Sequence, residues 1–237
     1  MAPTEGLPAL NVGMILFPNL TQLDLTGAYE VFARLPGTKV SLIAAAVTPV
    51  RSERGLTIAP DATFESAPEL DILCVPGGPG VDALMEDEGL LRFLRARAAG
   101  ARYVTSVCTG ALVLGAAGLL QGYRATTHWL SLDLLPLFRA EPVDARVVVD
   151  RNRITGGGVT AGIDFALTVA AEVFGQETAQ EVQLMLEYCP SPPFSSGSPR
   201  TAPAGVVKSV ITAREGTQSR RRAIAERAAA RLGLSVG

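Results

Sequence analysis

Cys108 lies in the stretch VTSVCTG, between a β-type run and a run of small apolar residues that is typical of a helix. A strand that turns directly into a helix places the turn residue at the carboxyl end of a parallel sheet, where open α/β folds bind ligands. Unpaired N–H groups at the start of a helix favour the thiolate, so a lowered thiol pKa is expected here. Cys108 is therefore a candidate nucleophile, although a buried, inert cysteine is the alternative interpretation.

A glycine-rich loop, VPGGPG at residues 75–80, also follows a β-type run. If it faces Cys108, its N–H groups and that of Thr109 can donate to negative charge that forms on a substrate. A tight connection without a ligand explains the same glycines equally well. Gly110, two residues after the cysteine, is expected to relieve crowding in the turn.

Two further residues are candidates for proton transfer. His128, in RATTHW, is the only histidine and can form a Cys–His dyad, or it can be a structural residue at the end of a strand. Asp24, in QLDLTG, lies near the start of the first helix and hence near the same edge of the sheet, although a carboxylate at a helix start also has a purely local role. The other two cysteines, Cys74 and Cys189, are interpreted as structural.

The elements that must position these residues alternate between strand-type and helix-type runs. NVGMILF, VSLIAAAV, DILCVPGG, RYVTSV, RATTH, ARVVVD and RITGGG have the character of strands, with helix-type runs between and after them. This alternation predicts an α/β fold in which a mostly parallel sheet is covered by helices on both faces.

The last part of the chain has a different composition. Residues 189–205 are rich in Pro, Ser and Gly and are predicted to be irregular, which divides the chain into an α/β domain at 1–205 and a helical extension at 206–237 that packs on it. From residue 208 onward there are seven Lys or Arg residues and two Glu residues. A solvated helix with one packed apolar stripe is favoured over a nucleic-acid contact.

The composition limits the class of protein. The 237 residues are 48% hydrophobic and 19% charged, with a formal net charge of −2, which fits a compact globular protein and gives no electrostatic reason to expect a nucleic-acid partner. Three cysteines without metal-ligand spacing favour a reducing, cytoplasmic location and no metal site. No targeting segment or membrane span is expected.

Several motifs together resemble the DJ-1/PfpI superfamily and, within it, the isocyanide hydratases. The resemblance runs from about residue 11 to the last helix and rests on LDLTG, VPGG, ARYVTSVCTG, LVLGAAGLLQG, RATTHW, TGGGVTAGIDFAL and QLMLEYCPSPPFSSGSP. It implies a flavodoxin-like three-layer sandwich with a C-terminal helical extension. It also implies a homodimer and a reaction without a cofactor.

The resemblance implies a role for each candidate residue. Cys108 matches the nucleophile, Asp24 the acidic residue beside its sulfur, Thr109 the residue that orients the site, and Gly78 the backbone donor of the glycine loop. His128 matches a position that peptidase-like relatives use in a Cys–His pair, and here it is a possible supporting residue. The implied substrate is a small isocyanide, which is hydrated through a Cys108 thioimidate to an N-substituted formamide.

Two other classes of function remain open from the sequence. One is a different cysteine enzyme on the same scaffold, such as an amidase, a peptidase or a glyoxalase-like enzyme. The other is the ligand-binding part of a transcriptional regulator with a helix-turn-helix region. The 32 residues after Gly205 are expected to be too few for such a region, which disfavours the regulator.

Overall fold

The computed structural model describes residues 10–234 of the chain. Eleven strands occur in this part, five of them only two residues long. They are β1 Leu10–Ile15, β2 Thr38–Ala44, β3 Val50–Arg51, β4 Thr57–Ile58, β5 Ala62–Thr63, β6 Ile72–Val75, β7 Tyr103–Val107, β8 Arg124–Ala125, β9 Glu141–Pro142, β10 Val147–Asp150 and β11 Arg153–Gly156.

Seven α-helices and one 3₁₀ helix accompany the strands in the described residues. They are α1 Gln22–Phe32, α2 Val81–Leu84, α3 Glu88–Gly100, α4 Gly110–Ala116, the 3₁₀ helix Trp129–Phe138, α5 Ala161–Phe174, α6 Gln176–Met185 and α7 Ala204–Arg231.

The main sheet has seven strands in the order β10-β11-β7-β6-β1-β2-β5. Every pair in it is parallel except β10 with β11 at one edge. The order of the sheet reverses between β1 and β6, because β2 and β5 lie on one side of β1, whereas β6, β7, β11 and β10 lie on the other. Ligands of doubly wound sheets bind at such a switch point, outside the carboxyl ends of the strands.

Helices cover both faces of this sheet. On one face α1 packs against α5, which also contacts α6, and on the other α4 contacts α2, α3, α7 and the 3₁₀ helix. The central strands β6 and β7 are almost wholly buried, as expected for parallel strands between two helical layers. The predicted three-layer α/β architecture with a mostly parallel sheet is therefore confirmed.

The structure also contains elements that the sequence patterns did not predict. These are the short β3–β4 hairpin and the ten-residue 3₁₀ helix. The predicted RATTH strand is shorter than expected, because only Arg124 and Ala125 belong to β8. The basic C-terminal segment is a single helix of 28 residues, α7. The described part does not include residues 1–9, where no targeting segment was expected, or the last three residues of the predicted extension. No helix between residues 10 and 234 is long and apolar enough to cross a membrane.

Candidate active site

Cys108 occupies a strained turn between β7 and α4. Its φ of 55° lies in the left-handed region, which a cysteine rarely adopts. Three hydrogen bonds hold it there: its N–H donates to the carbonyl oxygens of Gly156 at 3.0 Å and Gly157 at 2.8 Å, and its own carbonyl accepts from the Thr127 hydroxyl at 2.8 Å. Backbone strain of this kind persists only where the surroundings over-determine it, and it clusters at functional sites.

Two glycines allow the neighbouring segments to approach this turn. A Cβ on Gly110 would lie 2.0 Å from the Val75 carbonyl oxygen, so the expected crowding at this position is confirmed. A Cβ on Gly77 would lie 2.6 Å from the Thr109 nitrogen, 2.7 Å from Asp24 Oδ2 and 2.8 Å from Cys108 Cβ. The Cys108 side chain, the Asp24 carboxyl and the Thr109 amide therefore converge on one point beside the glycine loop.

Asp24, in the first turn of α1, is fully buried next to Cys108. Its Oδ2 accepts the Gly77 N–H at 3.0 Å, while Oδ1 has no close hydrogen-bond partner among residues 10–234. Burial raises the pKa of Asp24 to about 7, and the charge of Glu53 adds to this increase, while the Cys108 thiol and the Gly77 N–H oppose it. The carboxyl can therefore both hold and release a proton near neutral pH.

The environment of the Cys108 sulfur contradicts the expected low thiol pKa. Cys108 is only 4% exposed, and burial together with the charge of Asp24 raises its pKa well above the usual value. The Thr109 N–H at the start of α4 does lower the pKa, but desolvation and the carboxylate outweigh it. Because both coupled groups have raised pKa values, the pair retains at least one proton near neutrality, and Asp24 is the group positioned to accept the thiol proton.

Thr109 and Gly78 are linked to each other as well as to the site. The Gly78 N–H donates to the Thr109 hydroxyl at 3.0 Å, and both residues line the cavity that contains Cys108. A Cβ on Gly78, whose φ is 131°, would lie 2.4 Å from the Thr21 nitrogen. The Thr109 amide faces the sulfur directly, whereas the Gly78 amide acts on the site through the Thr109 hydroxyl.

His128 lines the same cavity but lacks the properties of a base toward Cys108. Its Nδ1 accepts the Leu130 N–H at 3.3 Å, so the neutral ring carries its proton on Nε2 and has no lone pair free for the thiol proton. Burial lowers the pKa of His128 to about 4, and the charges of Arg221 and Arg214 add to this decrease. The residue is therefore a neutral hydrogen-bond donor beside the nucleophile.

The cavity at Cys108 has a volume of about 150 Å³ and is closed on one side by α7. Arg214, Thr217, Gln218 and Arg221 of this helix line it. The Arg221 Nε donates to Asp82 Oδ1 at 2.7 Å in an almost fully buried ion pair, which connects α7 to the helix that follows the glycine loop. The C-terminal helix is therefore a wall of the site and not only a solvated surface.

Several cavity residues escaped the sequence analysis. Glu53, in the turn of the β3–β4 hairpin, accepts the Thr21 hydroxyl at 2.7 Å, and nothing in RSERG indicates that it lies near Cys108. The sequence also gives no sign that Gly77, next to Gly78 in the glycine loop, donates its N–H to Asp24. Of the other two cysteines, Cys74 is buried and Cys189 is exposed. Within residues 10–234, no cluster of three His, Cys, Asp or Glu side chains is arranged to hold a metal ion.

The family of the chain follows from a sequence profile. The profile of the DJ-1/PfpI family matches residues 11–172, which is more than half of the chain and includes both Asp24 and Cys108. The fold and the site together define a class of protein, namely α/β sandwiches with a cysteine at a strained strand-to-helix turn. The chain belongs to the DJ-1/PfpI family.

Among individual relatives, the isonitrile hydratase of Pseudomonas putida is 59% identical over 226 residues, which cover 95% of this chain and 99% of that enzyme. The HTH-type transcriptional regulator GbdR of Pseudomonas aeruginosa is 31% identical over 194 residues. That alignment covers 78% of this chain but only 53% of the regulator.

Solved structures of DJ-1/PfpI proteins also resemble this chain. A ThiJ/PfpI family protein from Pseudomonas syringae superposes with a TM-score of 0.90 at 45% identity, covering 95% of this chain and 96% of that one. Drosophila melanogaster DJ-1beta superposes with a TM-score of 0.70 at 26% identity, covering 77% of this chain and all of its own. The helix α7 lies beyond the region that the family profile matches.

Proposed function

We propose that this protein is an isocyanide hydratase, an enzyme that adds water to R–N≡C to give an N-substituted formamide. The observation that carries the proposal is the 59% identity, over nearly the full length of both chains, to an isonitrile hydratase, isonitrile being another word for isocyanide. A buried Cys–Asp pair beside a small cavity is a suitable site for this reaction.

In the first half of the proposed reaction, Asp24 accepts the proton of the Cys108 thiol, and the sulfur attacks the terminal carbon of the isocyanide. A carbon–sulfur bond forms, and Asp24 delivers its proton to the same carbon. The product is a thioimidate, R–N=CH–S, on Cys108. The raised pKa of Asp24 supports this sequence, because a carboxyl with an ordinary pKa would accept the thiol proton less readily and would be almost fully ionised near neutral pH.

In the second half, Asp24 is ionised again and acts as a base toward water. The water oxygen bonds to the thioimidate carbon, the C=N electron pair moves to nitrogen, and the proton removed from water reaches that nitrogen through Asp24. The carbon–sulfur bond then breaks, the formamide leaves, and the hydroxyl proton of the intermediate returns to the thiol through Asp24. The protein needs no metal or organic cofactor for these steps.

Backbone donors are proposed to stabilise the sulfur and the intermediate. The Thr109 N–H interacts with the Cys108 sulfur in the free protein and is positioned to stabilise it again as it leaves. Gly78 supports this arrangement through its hydrogen bond to the Thr109 hydroxyl.

The other functions receive less support. A peptidase-like Cys–His dyad needs an imidazole that accepts a proton, whereas the hydrogen bond from Leu130 occupies Nδ1 of His128. A regulator is disfavoured because the alignment with GbdR has about half the identity of the hydratase alignment and covers little more than half of that protein.

Location and oligomeric state are part of the proposal. We infer a cytoplasmic protein from its three free thiols, and a homodimer from the resemblance to the superfamily. Exposed apolar side chains at the end of α6 and in the following loop, Leu184, Met185 and Phe194, support a contact between subunits. Light scattering coupled to size-exclusion chromatography measures the mass directly, and a monomer at micromolar concentration would contradict the dimer.

The direct test is incubation of the protein with one alkyl and one aryl isocyanide, followed by detection of the formamide by mass spectrometry. Glyoxal and a peptide substrate, assayed in parallel, test the alternative cysteine enzymes. Formamide production that Cys108→Ala abolishes is the expected result. Turnover of glyoxal or peptide without formamide would replace the proposed function while leaving the family assignment unchanged.

A further inference from the structure

The position of His128 relative to Cys108 is fixed by several hydrogen bonds. The preceding residue, Thr127, donates its hydroxyl hydrogen to the Cys108 carbonyl at 2.8 Å. His128 itself is the N-cap of the 3₁₀ helix: its carbonyl accepts the Ser131 N–H at 2.8 Å, and its Nδ1 accepts the Leu130 N–H at 3.3 Å. The residue before His128 is therefore tied to the Cys108 backbone, and the hydrogen bond from Leu130 orients the ring with Nδ1 toward the 3₁₀ helix.

The other ring nitrogen, Nε2, carries a hydrogen with no acceptor in the described part of the chain. His128 lines the Cys108 cavity, and it also lines a neighbouring cavity that contains Gly158, where a Cβ would lie 3.3 Å from Cδ2 and 3.8 Å from Nε2. Arg214 and Arg221 line the same cavity and oppose protonation of the ring. His128 therefore places a neutral N–H donor at the border of the Cys108 cavity, and the proton transfers assigned to Asp24 do not use it.

An isocyanide has a property that suits such a donor. Its nitrogen has no free lone pair, because all its valence electrons are in the bond to R and in the triple bond to carbon. When sulfur adds to the terminal carbon, an electron pair moves onto the nitrogen, which becomes a hydrogen-bond acceptor. A donor that faces this nitrogen therefore binds the developing transition state and the thioimidate better than the substrate, which is the condition for catalysis.

We propose that the Nε2–H of His128 donates a hydrogen bond to the substrate nitrogen once sulfur has added, and so stabilises both the thioimidate and the water-addition step. This inference rests on the proposed hydratase function. His128 keeps its own proton throughout, and the proton that the nitrogen finally gains is still the one that Asp24 removes from water. The residue is thus a catalytic hydrogen-bond donor and not a base.

Three substitutions separate this role from a structural one. His128→Gln retains an N–H donor near the Nε2 position, and His128→Leu removes every polar atom. His128→Asn retains a side-chain oxygen that can accept the Leu130 N–H but removes the donor that reaches the cavity. We expect kcat/KM to fall by ~10²-fold in His128→Asn and His128→Leu and by less than ~10-fold in His128→Gln.

The covalent intermediate provides a second measurement. Because water addition develops more charge on nitrogen than the resting thioimidate has, loss of the donor should slow hydrolysis, and a Cys108 adduct heavier by the mass of the isocyanide should accumulate in His128→Asn. If His128→Asn keeps a kcat/KM near the wild-type value and His128→Gln loses it, His128 only caps the 3₁₀ helix, and the inference is overturned. Wild-type rates in His128→Leu would overturn it too. Failure of the proposed function is distinct, because then the wild-type protein itself makes no formamide.

Discussion

Two buried titratable groups, Asp24 and His128, lie on opposite sides of Cys108, and burial changes their pKa values in opposite directions. On the side formed by α1 and the glycine loop, burial raises the pKa of Asp24 to about 7. On the side formed by the 3₁₀ helix and α7, burial lowers the pKa of His128 to about 4. Both changes favour the neutral form, because a low dielectric disfavours charge of either sign. Only the change at Asp24 produces a group that exchanges protons near neutral pH.

Hydrogen bonding increases the difference between the two sides. Asp24 Oδ1 is buried without a close partner in the described residues, so the carboxyl keeps an oxygen available for proton exchange. His128 Nδ1, the lone pair that a base would need, is occupied by a backbone N–H. In the proposed mechanism, the acid–base group therefore lies on one side of Cys108 and the side-chain hydrogen-bond donor on the other.

The largest effect should follow from removal of the nucleophile that both sides share. Cys108→Ala and Cys108→Ser should abolish formamide production, because a serine hydroxyl is far less acidic than a thiol and Asp24 is too weak a base to activate it. Circular dichroism should be unchanged. Cys189→Ser, a change in an exposed loop, is the matched control and should retain wild-type turnover. Residual activity in Cys108→Ala near the wild-type level would make the cysteine structural.

Substitution of one group on each side tests the comparison directly. Asp24→Asn keeps the shape and an acceptor for the Gly77 N–H but removes both proton transfers, each typically worth ~10²–10⁴-fold in rate. We expect kcat/KM to fall by at least ~10³-fold for Asp24→Asn, and by a clearly smaller factor for His128→Ala, on the same isocyanide. The reverse order of losses would move the acid–base role to the imidazole.

The raised pKa of Asp24 also has a measurable effect on stability. The carboxyl binds its proton more tightly in the folded chain than in the unfolded chain, so the free energy of unfolding should decrease as pH rises from about 4 toward 7. Asp24→Asn removes this decrease and should be more stable than the wild type at pH 8 by at least ~1 kcal/mol, since one pKa unit corresponds to about 1.4 kcal/mol. Urea unfolding at pH 5 and pH 8 measures this difference. A wild-type protein that gains stability across this range relative to Asp24→Asn would contradict the assignment.

The smallest expected effect comes from Glu53. The active pair needs to lose one of its two protons, so kcat/KM should rise with pH through an acid limb near 7. Glu53 raises the pKa of Asp24 through its negative charge, so Glu53→Gln, which can still accept the Thr21 hydroxyl, should move this limb to lower pH by less than about one unit. The pH–rate profiles of the two proteins decide this point. A limb that moves upward would show that Glu53 acts on the pair in another way.

The sequence predicted those parts of the site that depend on local structure. Cys108 and Asp24 each follow a parallel strand, and parallel strands bring their carboxyl ends to one edge of a sheet whatever lies elsewhere. The thiol pKa was predicted in the wrong direction because desolvation depends on everything that packs over the sulfur. Glu53 and the arginines of α7 were not predicted as cavity residues, since they reach it through a hairpin turn and a helix distant in sequence.

The buried pair of Arg221 and Asp82 also affects when the protein can complete its folding during synthesis. The two residues are 139 positions apart, so Asp82 is synthesised long before the arginine that compensates its charge. Until α7 has left the ribosome, the helix after the glycine loop cannot bury this carboxylate without a large desolvation cost. We therefore expect the nascent α/β domain to keep this region open to solvent, and to chaperones, until α7 has emerged from the ribosome.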